Sequence, residues 1–174
     1  PAEEGGAGAK AMIDDGMLTR WPLDEVYGMH NKPDLPLGEF GVCAGPLMGS
    51  VDEVRITIEG VGGHAAFPHN TVDPLMPTSA LIQALQSIVS RNLDPLKSAV
   101  ISITTIHGGD AFNVIPQAIT MTGTVRTLDE GVRDMVETRI AKAVQGVADA
   151  YDAKATLDYI RMYPVTVNAE VGAE

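Results

Sequence analysis

Two adjacent carboxylates, Glu3 and Glu4, stand in the glycine-rich run Pro1-Ala2-Glu3-Glu4-Gly5-Gly6. Neighbouring carboxylates repel, and gathering both into one site is costly unless a cation compensates. A divalent metal would do so. One carboxylate would ligate it and the other would take a proton from the attacking water, as in hydrolytic metal sites. The same pair in a solvated turn would carry no chemistry. His30 follows Val26-Tyr27-Gly28-Met29 and precedes Asn31-Lys32-Pro33, so the pattern puts it where an extended segment meets a loop. Open α/β sheets place ligands at such ends, and a neutral imidazole there can complete a metal's coordination; a packing or surface histidine is the alternative.

A second group of residues suits substrate rather than metal. His64 sits in Gly60-Val61-Gly62-Gly63-His64-Ala65-Ala66, where glycines let the backbone turn sharply after a strand and present the imidazole at its end. It could hydrogen-bond a developing oxyanion, or be an exposed histidine on a hairpin. The run Gly108 to Pro116 is longer than a tight turn needs, and within it Asn113 offers both a donor and an acceptor. Arg126 offers a fork suited to a substrate carboxylate, or to a surface ion pair.

The elements that must hold these residues can be read from periodicity. Val54, Ile56 and Ile58 alternate with Arg55, Thr57 and Glu59, which predicts a strand with one buried face. Ala99 to Ile106, Ile119 to Thr127 and Lys154 to Tyr163 are further strands. Asp73-Pro74 opens a helix to about Asn92, and Asp129 caps another through Val132, Val136, Ile140, Ala143 and Val147. The order is strand, helix, strand, strand, helix, strand. It predicts an α+β, ferredoxin-like two-layer sandwich (βαββαβ), a scaffold that by itself decides nothing about chemistry. Between Asp73 and Arg91 there is no charge, so the first helix is expected to meet another subunit, a solvated polar face being the alternative. Before the sandwich, the spacing predicts a short helix over 9–18 and extended segments at Val26–His30 and Glu39–Val42, pieces of a larger sheet. The Gly45-Pro46 breaker marks the boundary.

Composition bounds the rest. A chain of 174 residues with 23 acidic and 12 basic side chains carries a net charge of −11, which repels phosphate backbones and anionic lipids. Nucleic-acid and membrane partners are not expected, and no run of about 20 apolar residues reads as a span. A single cysteine, Cys43, fits a reducing compartment, so the expected location is cytoplasmic. The opening on Pro1 in what looks like mid-loop reads as an internal piece of a longer chain.

Taken together, Pro1 to Gly6, Gly28-Met29-His30-Asn31, Gly62-Gly63-His64-Ala65-Ala66, the Asp110 to Pro116 loop and Gly123-Thr124-Val125-Arg126-Thr127 resemble, in order, the aminoacylase-like metallopeptidases. Hippurate hydrolases, other N-acyl-amino-acid amidohydrolases and auxin-conjugate hydrolases are the nearest likeness. The resemblance implies a partial α/β metallopeptidase catalytic domain over 1–48, a lid and dimerisation domain over 49–165, and the start of a return segment over 166–174. It implies Glu3 as the general base, Glu4 and His30 as ligands of two divalent ions (zinc first, or manganese, cobalt or nickel), and His64 as the lid histidine that reaches a partner subunit's site. Asn113 and Arg126 match lid residues that hold substrate, and homodimerisation through the lid follows. Two family ligands, an upstream Cys-x-His and a histidine near the C-terminus, are not in this sequence. Cys43 is not beside a histidine and is read as a buried or idle cysteine, and the piece alone is expected to be inactive. The expected activity is hydrolysis of the amide of an N-acyl amino acid or related small amide. A dimerisation module or a small-metabolite-binding ferredoxin-like domain without catalysis is the alternative.

Overall fold

The computed structural model describes residues 8–168. The chain divides into two compact units, one to Cys43 and one from Ala44. In the first, α1 (Gly8–Asp14) and α2 (Met17–Arg20) are separated by Gly16, whose φ of 86° breaks the predicted single helix. Val26–His30 and Glu39–Val42 are not strands, contrary to the sequence expectation. A strand needs a neighbour to pair with, and these segments pair with none among the described residues. Their side chains Val26, Tyr27, Met29 and Phe40 are correspondingly exposed.

The second unit holds the sandwich. Short strand β1 (Gly45–Met48) leads into β2 (Val51–Glu59), followed by the two-residue β3 (Gly63–His64) and a 3-10 turn at Pro68–Asn70. Helix α3 (Leu75–Ser87) ends in a π-helical turn over Ile88–Asn92, after which come β4 (Ala99–His107), β5 (Val114–Ile115) and β6 (Ala118–Thr127). Helix α4 (Glu130–Ala150), β7 (Lys154–Tyr163) and β8 (Thr166–Asn168) complete it. The main sheet is antiparallel with order β4-β6-β2-β7. This is the ferredoxin-like βαββαβ arrangement, as the periodicities require.

One face of the sheet is apolar because the strand period is two: Val54, Ile56 and Ile58 of β2 meet Ile119, Met121 and Val125 of β6 there, all 1% exposed or less. Leu81 and Leu85 of α3 and Val136 and Ile140 of α4 cover that face and join the same core. The Asp129 carboxylate accepts from Val132 N–H at 2.9 Å and starts α4 as expected. The N-terminus of α3 lies one residue later than the sequence suggested. Asp73 still accepts from Leu75 N–H at 2.9 Å, while Pro74 takes the cap position.

A buried polar group interrupts this core at one end. Asp52, on the inner face of β2 with its side chain 0% exposed, accepts from Arg133 Nε at 3.2 and 3.0 Å and from Nη2 at 2.5 Å. Tyr159 O–H donates to the same carboxylate at 2.8 Å, and Arg133 Nη2 also reaches the Tyr163 carbonyl at 3.2 Å. Burial, with the hydrogen bond to Asp52 second, pushes the Tyr159 phenol far above its ordinary range, so it remains a donor. Asp52 holds the guanidinium above its usual pKa. The group ties α4 and β7 to β2. No helix among the described residues is long and apolar enough to cross a membrane.

Candidate functional site

The glycine run after β2 is shaped by close backbone approach. A Cβ on Gly60 would lie 1.9 Å from the Val72 carbonyl oxygen, and one on Gly62 would lie 2.8 Å from that of Ile115. Only glycine lets the chain pass between Val72, bridged to Val61, and β5. Gly60→Ala is therefore expected to force these strands apart and cost about 1–3 kcal/mol, read as a lowered unfolding midpoint in urea.

That passage delivers His64 to a small ribbon in which Gly63 opposes Ile115 and His64 opposes Val114. Ala65 N–H donates to the Asn113 carbonyl at 3.0 Å, so the backbones of His64 and Asn113 are brought together from segments about 50 residues apart in sequence. Both side chains are exposed. Ala66 N–H donates to His64 Nδ1 at 3.1 Å. A backbone N–H can only donate, so Nδ1 is the acceptor and the neutral ring carries its proton on Nε2. The imidazole thus presents an N–H donor outward, the form needed to meet an oxyanion. Phe67 packs edge-on against the ring with centroids 5.6 Å apart and limits its rotation.

Arg126 lies on the outer face of β6, exposed, opposite Val100 of β4. Among the described residues it makes no ion pair, so the structural use its type could have served is not the one found. The ladder from Ala118 to Arg126 spans eight residue steps, about 26 Å. His64 and Asn113 stand at one end of the sheet and Arg126 at the other. Within one copy the two side chains are therefore separated by about the length of that strand.

An open cavity of about 950 Å3 lies beside the ribbon, walled by Gly62, Gly108, Ile115 and Pro116 with His107 and Asp110. Neither His64 nor Asn113 lines it.

His30 belongs to the first unit. Its Nδ1 is 2.7 Å from the Asn31 carbonyl oxygen, which can only accept. Nδ1 therefore carries a proton, and in the neutral ring the lone pair is on Nε2, one of the two ring nitrogens through which histidine can ligate a metal. Glu3 and Glu4 lie outside the described residues. Among the described residues no group of three or more His, Cys, Asp or Glu side chains could hold a metal. Cys43 is exposed.

Two residues that hold this site were not legible as such. Ala66 contributes only its backbone. Gln117 spans two points of the glycine run, donating through Nε2 to the Gly60 carbonyl at 2.6 Å and accepting at Oε1 from Gly62 N–H at 3.2 Å. Nothing in residue type marks either; both partners of Gln117 lie more than 50 residues away in sequence.

Comparison with known proteins gives a consistent set of relatives. The family model for the peptidase dimerisation domain of the M20 group matches residues 50–152. The N-acetyl-L-cysteine deacetylase of Bacillus subtilis is 46% identical over 170 residues, covering 98% of this chain and 40% of that protein. The hippurate hydrolase of Campylobacter jejuni is 44% identical over 168 residues, covering 97% of this chain and 44% of that one. Among solved structures, a dinuclear metal-binding peptidase of the M20 family from Bacillus subtilis superposes with a TM-score of 0.75 at 36% identity, over 98% of this chain and 41% of that chain. The chain spans about 40–45% of the length of the curated relatives it matches.

Proposed function

Because the chain belongs to the M20 peptidase family through its dimerisation domain, we propose that the whole protein hydrolyses the amide bond of an N-acyl amino acid or a related small amide. The observation that carries this reading is the His64 ring, held by Ala66 N–H with its Nε2–H turned outward on a ribbon shared with Asn113. Amide hydrolysis places negative charge on the former carbonyl oxygen, and a preorganised neutral donor is what stabilises it. Asn113 adds a second polar group at the same end of the sheet, and Arg126, free of ion pairs among the described residues, takes the substrate carboxylate.

The separation of about 26 Å between the two ends supports a site shared between copies: His64 and Asn113 of one subunit serve the substrate that Arg126 of another holds. The dimer forms through the uncharged outer side of α3, where Leu75, Met76, Ser79, Gln83, Gln86 and Ser90 are exposed, and the neighbouring edge strand β4. In this reading residues 1–48 and 166–174 belong to the catalytic domain. Glu3 would be the base for the attacking water's proton, and Glu4 with His30 would hold metal, together with ligands from elsewhere in the whole protein. Two divalent ions, zinc first and manganese, cobalt or nickel otherwise, would supply Lewis-acid activation of water and carbonyl. This chain alone, with two of those ligands, is inactive.

The test is amino-acid release from N-acetyl and N-benzoyl amino acids by the whole protein. Release that is abolished by a chelator and restored by a divalent metal is expected. A whole protein that binds no divalent metal and cleaves no acyl amino acid would instead favour a dimerisation or metabolite-binding module.

A further inference from the structure

We propose that Gln117 is a positioning residue for His64, acting as a two-point clamp on the glycine run that carries the imidazole. This rests on the reading of His64 as the oxyanion donor. In the run from Gly60 to Gly63 only Val61 carries a side chain and its backbone is bridged to Val72, while glycine loses more freedom on ordering than any other residue. Something outside the run must supply the order. Gln117 does so three times: its backbone carbonyl accepts from Gly60 N–H at 2.9 Å, its Nε2 donates to the Gly60 carbonyl at 2.6 Å, and its Oε1 accepts from Gly62 N–H at 3.2 Å.

Both ends of one amide are therefore used, on two residues of the same turn, immediately before the pairing of Gly63 with Ile115. No other natural side chain of this length carries a donor and an acceptor on one carbon without taking up a proton. The clamp fixes where the ribbon starts, and the ribbon's start fixes where His64 stands. Gln117 is itself exposed and adds little to the hydrophobic core, so its bonds can be removed without unfolding the sandwich.

Gln117→Leu removes both side-chain bonds, and Gln117→Glu keeps the shape and the Gly62 acceptor but turns a carboxylate toward the Gly60 carbonyl. In this chain, hydrogen exchange is expected to quicken about tenfold at the Ala65 amide in both variants and at the Gly62 amide in the Leu variant, with the amides of β2 and β6 and the melting temperature unchanged. In the whole protein both variants are expected to lose about 10- to 100-fold in kcat with KM within about twofold, because a misplaced donor weakens the transition state and not substrate capture. If the Glu variant behaves as the wild type, Gln117 only fills space and the proposal fails. It also fails if exchange quickens while kcat stays at the wild-type value, or if exchange does not change. Should His64→Ala leave kcat intact, the oxyanion reading falls and takes the catalytic part of this proposal with it, while the exchange data still report whether the clamp exists.

Discussion

Replacing His64 by alanine is expected to lower kcat of the whole protein about 10²- to 10³-fold with KM little changed, the loss seen when one oxyanion donor is removed. Arg126→Ala is expected instead to act mainly on KM for substrates bearing a carboxylate. The stronger test combines the two. If the donors at the two ends of the sheet serve different sites, a heterodimer of one His64→Ala subunit and one Arg126→Ala subunit contains one complete site and one lacking both groups. Co-expression with random pairing makes about half the dimers mixed, so about a quarter of wild-type activity should return from two separately crippled chains. Activity that stays at the level of the parents would mean both residues act within one subunit, which the eight-step ladder between Ala118 and Arg126 argues against.

The second large effect concerns stability. Asp52→Ala leaves Arg133, 6% exposed at its side chain, and the Tyr159 hydroxyl without their shared acceptor. Breaking a buried pair by removing one partner costs about 3–5 kcal/mol, which for a domain of this size corresponds to a melting temperature lower by roughly 10–20 °C. Calorimetry of this chain measures it directly. Glu130 does not compensate, since it touches only Arg133 Nη1, at 3.2 Å from a half-exposed position. A change of only a degree or two would show that Arg133 finds water once Asp52 is gone, and that the group is not sealed.

The long elements were legible because their periods are self-sufficient. Val54, Ile56 and Ile58 in β2, or Val132, Val136 and Ile140 in α4, state in their own spacing which side faces the core. The short ribbons β1–β8 and β3–β5 were not, because two to four residues carry no period and their pairing is decided by distant partners. The same distance hid the Asp52–Arg133 pair, whose members are 81 residues apart: an acidic residue at the start of a strand looks like a solvated one until its partner is known. Val26–His30 failed in the other direction, since an apolar run calls for a strand that only a neighbour can make. For the site, glycines around His64 announced a sharp turn, and the structure adds why each was needed and which atom of the imidazole is held. The tautomer of His30 likewise could not be read from spacing, because it depends on where the Asn31 carbonyl turns.

Strands β1 and β8 pair antiparallel, with Gly45 opposite Asn168 and Pro46 opposite Val167. The two ends of the described part of the second unit are thus side by side, within about 5 Å. A unit whose described ends meet at one point can be bridged by a short peptide or inserted into a loop elsewhere without tearing its own fold. That geometry makes this unit a natural cassette for grafting new specificities.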